Sequence, residues 1–354
     1  MKRRLEKLQK LAMTGKIQFG VMKMEQLQSG EVFMKRSKLD VITIGETMGL
    51  FTPNKQGYLR YANQYTQSFA GSETNVAIGV SRMGYKAGWI SRVGKDEFGK
   101  GLLMFLRGED IDLTFVKEDN EFPTGLMFKE YLRENQTRVF YYRSNSAASR
   151  LSPKDIDVSY ISQAKYLFVS GITPALSKSC HQAVMAAITI AKEHGVQVVF
   201  DPNLRKTLWE EEVARETLLD IAKQADIVLP GISEGEFLFG TNDVQEIGDK
   251  LLNLGPKKVV IKLGPAGSCA VTDKGVEYVP GYNVQRVVDP IGAGDAFAAG
   301  FITGLLDKLS LYESVQRANA FGALATQVKG DIEGLPEREQ LSQFMNSTSD
   351  DVER

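Results

Sequence analysis

The segment VVDPIGAGDAFAAGF at 287–301 runs from an extended stretch through two glycines into a series of small residues. Gly292, Ala293 and Gly294 would present unobstructed backbone N–H groups at the first turn of a helix, where aligned peptide dipoles favour an anion. This spacing makes a phosphate cradle without a lysine. Asp295 falls in the same turn, and a carboxylate beside a held anion is electrostatically wasteful unless it has a task. Accepting the proton of a hydroxyl that attacks the held phosphorus is one such task. On these residues alone a plainer reading stays open, in which Asp295 caps the helix and the glycines make a turn. Ala296, Ala298, Ala299 and Gly300 suit both, because small side chains let the helix approach its neighbours closely.

Other patterns imitate chemistry but lack a part. GISEG at 231–235 matches G-x-S-x-G, follows the strand-like DIVLP and precedes a helical stretch. A hydrolase of that type built on Ser233 needs a histidine later in the chain, and none occurs there. GKDEFGKG at 94–101 keeps Gly94, Gly99 and Lys100 of a P-loop but has Gly101 where the Mg2+-binding hydroxyl belongs, so it reads as a glycine-rich turn between strand and helix. GETMGL after the first strand lacks the dinucleotide fingerprint. Metal chemistry is constrained by supply: the only histidines are His181 and His194, and the only cysteines Cys180 and Cys269. Both histidines lie in SKSCHQAVMAAITIAKEHG, where about 100° per residue puts them on nearly opposite helix faces, unable to clamp one ion. Two distant cysteines fit a reducing compartment better than secretion.

The elements that would place Asp295 follow from periodicity. From Asp40 onward, β-branched runs at 40–45, 87–93, 165–169, 196–201, 226–229, 257–262 and 268–272 alternate with helical patterns at 73–83, 97–107, 177–194, 211–223, 244–253, 293–307 and 311–327. That order predicts a doubly wound α/β domain over 40–346, a mostly parallel sheet with helices on both faces. Two stretches break the rhythm, 48–68 with GYLRYANQYTQ and 124–146 with TGLMFKEYL, RENQT and RVFYYR. Both read as antiparallel strands of a small β lid. With no helix to cover its second face, the lid also offers a contact for a homo-oligomer. Residues 1–39 read as an extension outside the fold and 347–354 as a tail. The 43 Lys and Arg against 44 Asp and Glu give a net charge of −1, which argues against nucleic acid or an anionic membrane as a partner. No window nears the ~18 apolar residues of a membrane span and the basic start lacks a signal-type apolar core, so the expected location is cytoplasmic.

Three segments, AGSETNVAIGVSRMGYKAGWISRVGKDEFGKGL at 70–102, IKLGPAGS at 261–268 and DPIGAGDAFAAGF at 289–301, occur in that order. They resemble the first signature, the nucleotide-binding stretch and the second signature of the ribokinase-like carbohydrate kinases, the PfkB family. The likeness spans residues 40 to 340, approximately, and absorbs the near-P-loop as the family's G-x-D-x-F-G turn. It implies an ATP- and Mg2+-dependent kinase that moves the γ-phosphoryl group to a sugar hydroxyl. Asp295 would be its base, and the amides at Ala293 and Gly294 would stabilise charge on the transferring group. It also implies that Gly264, Gly267 and Gly292 approach the nucleotide phosphates and that Asn319, in ANAFGA, borders the adenine. The family's N-x-x-E motif, tied to Mg2+ and phosphate, appears as Gly231-Ile232-Ser233-Glu234: the glutamate, an indirect metal contact, is present and the asparagine is not. Lys262 stands where many relatives carry threonine and could meet a phosphate directly. The family further admits a monovalent cation such as K+, at sites made of backbone carbonyls that leave no side-chain signature.

At the sugar end, simple-sugar kinases of this family often carry an aspartate at the sixth position of the first-strand loop, here GETMGL. Here that position is Leu50, and the missing acid removes repulsion toward an anionic substrate. Tyr141 and Arg143 of YYRSNSAASRL lie two apart and so share a face of a lid strand. Arg205 of FDPNLR would come from the C-terminal end of a sheet strand, where ligands of open α/β folds collect. An arginine's planar fork suits a carboxylate and its neighbouring keto oxygen. The pattern is similar to the branch of the family that phosphorylates 2-keto-3-deoxygluconate, which implies a 6-hydroxyl facing Asp295 and a pocket lined by Gly71 and Asn75. Lid packing for Tyr141 and surface ion pairing for the two arginines are the bland readings. Fructokinases also carry DPNLR-like segments, so fructose or another sugar is the alternative acceptor. A sugar-binding sensor is the non-enzyme alternative, although a sensor has no use for a base.

Overall fold

The computed structural model describes residues 39–133 and 136–346. The expected extension and tail lie outside the described residues, except for Leu39, which is buried in the core and so belongs to the fold. The chain enters a large sheet through β1 (Val41–Ile44), crosses into a small sheet as β2 (Met48–Pro53) and β3 (Tyr65–Ala70), and returns through the helix Ser72–Arg82 to β4 (Ala87–Gly94). The helix Glu97–Gly108 leads to the edge strand β5 (Val116–Asp119), and the hairpin β6 (Leu126–Arg133) and β7 (Gln136–Tyr142) completes the small sheet. Strand and helix then alternate through β8 (Tyr166–Ser170), the helix Lys178–Glu193, β9 (Gln197–Asp201), the helix Glu211–Gln224 and β10 (Ile227–Val228). Helices Ile232–Phe239 and Val244–Leu254 precede β11 (Lys258–Lys262), the hairpin β12 (Gly267–Thr272) and β13 (Gly275–Pro280), and the closing helices Ala293–Leu306, Leu311–Ala325 and Arg338–Asn346.

The large sheet has the order β13-β12-β11-β10-β9-β8-β1-β4-β5, parallel from β11 to β5, with an antiparallel hairpin on the β11 edge. Adjacent residues of its strands divide between two cores. Val41, Phe168 and Val199 join the apolar cluster that includes the helices Ser72–Arg82, Ala293–Leu306 and Leu311–Ala325. Ile42, Leu167 and Val198 join the one that includes Lys178–Glu193, Glu211–Gln224 and Val244–Leu254. A sheet covered on both faces requires such uninterrupted apolar runs, and this is why its central strands were readable from sequence. The edge strands β5 and β13, VKED and GVEYVP, are largely exposed and carry no run of that kind.

Small residues set the position of the helix Ala293–Leu306. A Cβ on Gly79 would lie 2.6 Å from that of Ala299, and one on Gly300 would lie 2.9 Å from the Cα of Ala318. Close packing against two helices brings its first turn over the C-terminal end of β11, where the Lys262 Nζ is 3.7 Å from the place a Cβ on Gly294 would occupy.

The small sheet has the order β3-β2-β6-β7. Its outer pairs are antiparallel, as the sequence predicts, while the central pair β2–β6 is parallel because the two strands belong to separate excursions from the large sheet. One face buries Met48, Leu50 and Met127. The other stacks Phe51 on Phe128 at 5.0 Å between ring centroids and leaves Phe140 and Tyr142 exposed. Among the described residues no helix is long and apolar enough to cross a membrane.

Candidate active site

Asp295 sits in the first turn of the helix Ala293–Leu306 and is 8% exposed. Ser72 Oγ donates to its Oδ1 at 2.6 Å, Asn75 Nδ2 to its Oδ2 at 2.9 Å, and Asn203 Nδ2 to its Oδ1 at 3.2 Å. Asn203 also donates to Ser72 Oγ at 2.8 Å. Three elements therefore aim one carboxylate: the start of the helix Ser72–Arg82, the loop after β9, and the glycine turn itself. Gly292 begins that turn at φ 85°, and a Cβ there would lie 2.7 Å from the Asp331 carbonyl oxygen, so both conformation and space exclude a side chain. Gly71 is required by space alone, since its Cβ would meet the Glu46 carbonyl oxygen at 2.4 Å.

A second charged group faces the same turn. Lys262, at the end of β11, reaches Asp201, at the end of β9, with 2.7 Å between Nζ and Oδ2. Burial opposes the ammonium charge, but the carboxylates of Asp201 and Glu234 outweigh it and hold the Lys262 pKa above the ordinary lysine value. Glu234 accepts the backbone N–H of Gly231 at 2.6 Å and of Leu204 at 2.8 Å, so its oxygens brace the entry to the helix Ile232–Phe239. Gly264 has open space where a side chain would be, at φ 60°, in the turn after Lys262. Gly267, at φ 106°, is needed by its own hairpin, because a Cβ would meet the Val279 carbonyl oxygen at 2.3 Å. The Asn319 amide is spent in the wall: its Oδ1 accepts from Ser268 at 2.9 Å and its Nδ2 donates to the Val279 and Pro280 carbonyls, each at 3.1 Å. Its side chain shapes the β12–β13 edge, with the Nδ2 donors turned to that wall.

At the lid end, Arg143 is 8% exposed and paired with Glu46 of the first-strand loop. Its Nε and Nη2 bind the same Glu46 oxygen at 2.6 and 2.5 Å, and Ser146 donates to the other oxygen. Tyr141 lies on the same side, its ring centroid 5.6 Å from the Arg143 Cζ, and is partly exposed. Leu50 is not a loop residue but part of β2, opposite Ser68 and fully buried with Met48 and Met127. The acid that the loop does carry is Glu46, and Arg143 cancels it. Arg205 is exposed, with a 3.4 Å contact to the Leu204 carbonyl, and among the described residues the two arginines share no hydrogen-bond partner. Behind this end Glu73 is buried, with Ser170 and Thr173 hydroxyls both donating to its Oε1 at 2.6 Å; burial pushes its carboxyl up to about 7 despite those donors.

The sequence decoys have structural uses. Asp96 of GKDEFGKG caps the helix Glu97–Gly108 through the Gly99 N–H at 2.7 Å and accepts the Thr124 N–H at 2.8 Å. Ser233 is exposed, and Cys180 and Cys269 are buried free thiols. Residues that the sequence reading passed over include Ser72 and Asn203, one position from Gly71 and two from Arg205. Asp201, Glu46, Lys129 and Asp331 were passed over too. A carboxylate in a phosphate cradle needs donors to orient it, and that demand was the signal that could have found Ser72 and Asn203 inside AGSETN and FDPNLR.

An open, mostly parallel sheet with helices on both faces, a small sheet beside it and charged groups gathered at the strand ends is the architecture of the ribokinase-like sugar kinases. The crystal structure of a putative ribokinase II from E. coli in complex with ATP and Mg2+ matches it with a TM-score of 0.80 at 27% identity, over 87% of this chain and 99% of that one. Residues 38–338 match the model of the pfkB family carbohydrate kinases, and the chain belongs to that family. It is 41% identical over 312 residues to the 2-dehydro-3-deoxygluconokinase of Bacillus subtilis (strain 168), covering 88% of this chain and 96% of the relative. It is 34% identical over 315 residues to Fructokinase-1 of Zea mays, covering 86% and 97%.

Proposed function

We propose that the chain is an ATP-dependent kinase that phosphorylates the 6-hydroxyl of 2-keto-3-deoxygluconate, giving 2-keto-3-deoxy-6-phosphogluconate. The observation that carries phosphoryl transfer is the Asp295 carboxylate, aimed by Ser72, Asn75 and Asn203 at the mouth of the Gly292 turn. As the 6-oxygen bonds to the γ-phosphorus its proton passes to Asp295, and the bond from that phosphorus to the bridging oxygen breaks to release ADP. The amides at Ala293 and Gly294, with the Lys262 ammonium, would meet the charge spread over the transferring group. The turn at Gly264 would lie beside the nucleotide phosphates. Among the described residues no cluster of three or more His, Cys, Asp or Glu forms a metal cage. That suits a Mg2+ carried mainly by phosphates and water, on which Glu234 would act indirectly.

The sugar acid is supported by the Arg143, Glu46 and Tyr141 group and by the likeness to the Bacillus subtilis enzyme. Fructose is the second reading, favoured by the likeness to the Zea mays fructokinase. An ADP-release assay over keto acids and neutral sugars separates them. The expected outcome is a kcat/KM for 2-keto-3-deoxygluconate higher than that for fructose by ~100-fold or more, the discrimination available where a substrate analogue leaves a buried polar group unpaired. A preference for fructose would replace the substrate, and no ADP release with any sugar would remove the kinase. The proposal includes a cytoplasmic location, where ATP is supplied, and a homo-oligomer joined through the exposed lid face at Phe140 and Tyr142. A monovalent cation such as K+ is its last cofactor, tested by activity in KCl against tetramethylammonium chloride.

A further inference from the structure

Lys129 lies on β6 of the small sheet, with its side chain wholly removed from solvent. Its Nζ is 2.9 Å from Asp289 Oδ2 and 2.6 Å from Asp331 Oδ1. These carboxylates flank the turn that starts the helix Ala293–Leu306. Asp289 accepts the Ile291 N–H at 3.1 Å within that turn, and the Asp331 carbonyl oxygen is the atom that crowds Gly292. Tyr131, two residues along β6 and therefore on the same face, donates its hydroxyl to Asp289 at 3.2 Å. The small sheet thus supplies the cation and the large domain the carboxylates.

A buried ion cluster is an inefficient way to join two layers, since well-packed apolar side chains often do as well once desolvation is counted. The best-attested use of such clusters is to fix register or act in a switch. Here the cluster stands beside a backbone cradle for an anion. Without the ammonium, two buried negative charges would oppose whatever the amides at Ala293 and Gly294 hold. We propose that Lys129 is a positioning residue for phosphoryl transfer. It ties the Gly292 turn to the small sheet through Asp289 and Asp331 and offsets one of their two charges, so that the turn is held for the transferring group only with the small sheet in place. This inference rests on the kinase reading above and is independent of which sugar is the acceptor.

The test is Lys129→Ala, assayed with whichever sugar the unaltered protein phosphorylates. The expected result is a kcat lowered ~100-fold, comparable to loss of an oxyanion donor, with the KM for ATP changed by less than ~3-fold. Methylammonium or ethylammonium, entering the vacated space, should raise both kcat and the melting temperature of the variant and leave the unaltered protein unchanged. A kcat within ~3-fold of the unaltered protein overturns the inference, as does an amine that restores the melting temperature without restoring kcat. Should the single variant not fold, Lys129→Ala with Asp331→Asn decides: its cluster charge, 0 − 1 = −1, equals the original +1 − 2 = −1. A low kcat in that folded double variant supports a positional tie, and an unaltered kcat shows that charge balance alone matters and overturns it. An unaltered protein that phosphorylates nothing overturns the kinase reading and this inference with it, whereas an active protein indifferent to Lys129 overturns this inference alone.

Discussion

The proposed phosphate end and acceptor end of the site are built on opposite plans. At the proposed phosphate end the framework is a glycine turn, Gly292 to Gly294, at the start of a helix, and the nearby side chains aim one carboxylate, Asp295. At the lid end the chemistry is side chain: Arg143 and Glu46 neutralise each other, Ser146 braces the glutamate, and Tyr141 lies over the guanidinium. In the proposal, a backbone cradle accepts any group that carries a phosphate, and so fixes the reaction. A buried, mutually cancelled ion pair responds to the charge of what approaches, and the proposal gives it the choice of acceptor. The proposal divides the labour in this way, and variants at each end should separate kcat from KM.

Asp295→Asn gives the largest expected effect. The amide keeps the size and one acceptor of the carboxylate but cannot take the proton, so kcat should fall by about 10²- to 10⁴-fold, the range of a general base. ATP affinity, measured by calorimetry, should stay within a few-fold because the backbone cradle is intact. Turnover retained at more than a tenth would remove Asp295 as the base and blur the division between the ends.

Arg143→Ala tests the other end with a smaller effect. It leaves Glu46 buried and uncompensated beside the acceptor, which should raise the KM for the keto acid by roughly 10- to 100-fold, the value of a charge-assisted hydrogen bond. The KM for ATP should barely move, and neutral sugars should suffer less than anionic ones. Glu46→Gln is the complement: it frees the Arg143 charge, so the keto-acid KM should fall or hold. Equal losses for keto acid and fructose in Arg143→Ala would make the pair a packing feature of the lid and end its role in selection.

The Gly292–Asp295 turn was legible in the sequence because its parts are contiguous, whereas Ser72 and Asn203, which aim its carboxylate, lie 223 and 92 residues away and were not. A turn built from Gly292 to Asp295 needs neighbours in the chain, and the buried parallel strands that present it announce themselves as apolar runs. The lid end was legible only in part. Arg143 and Tyr141 stood out as a pair on one strand, yet the partner that decides what Arg143 can do, Glu46, is 97 residues away. Leu50 marked the absence of one acid and concealed the presence of another four residues earlier, because its place in β2 depends on strand register and not on spacing. The Lys129 cluster, with partners 160 and 202 residues away, had no local signal at all.

Glu73 joins the two ends and carries the smallest expected effect on turnover. It lies next to Ser72 and two residues before Asn75, both of which hold Asp295. Its carboxyl group fills the space that a side chain at Gly45, beside Glu46, would need. Burial pushes its pKa from 4.5 up to about 7. Between those values the unfolded chain has released the proton while the folded chain retains it, so the folded state binds more protons and stability falls as pH rises from 4.5 to 7. The full shift corresponds to about 3 kcal/mol, present below the unfolded value and lost by the time pH has passed the folded one. Glu73→Gln, neutral at every pH and still able to accept from Ser170 and Thr173, should remove this slope. Urea unfolding of both proteins at pH 5 and pH 8 measures it as a difference between differences, which cancels the other titrating groups. The kcat of the variant should stay within ~3-fold, since the donors to Asp295 are untouched. An equal pH dependence in both proteins would mean that Glu73 is already ionised when folded, and its charge would then have to be counted in the field that Asp295 works against.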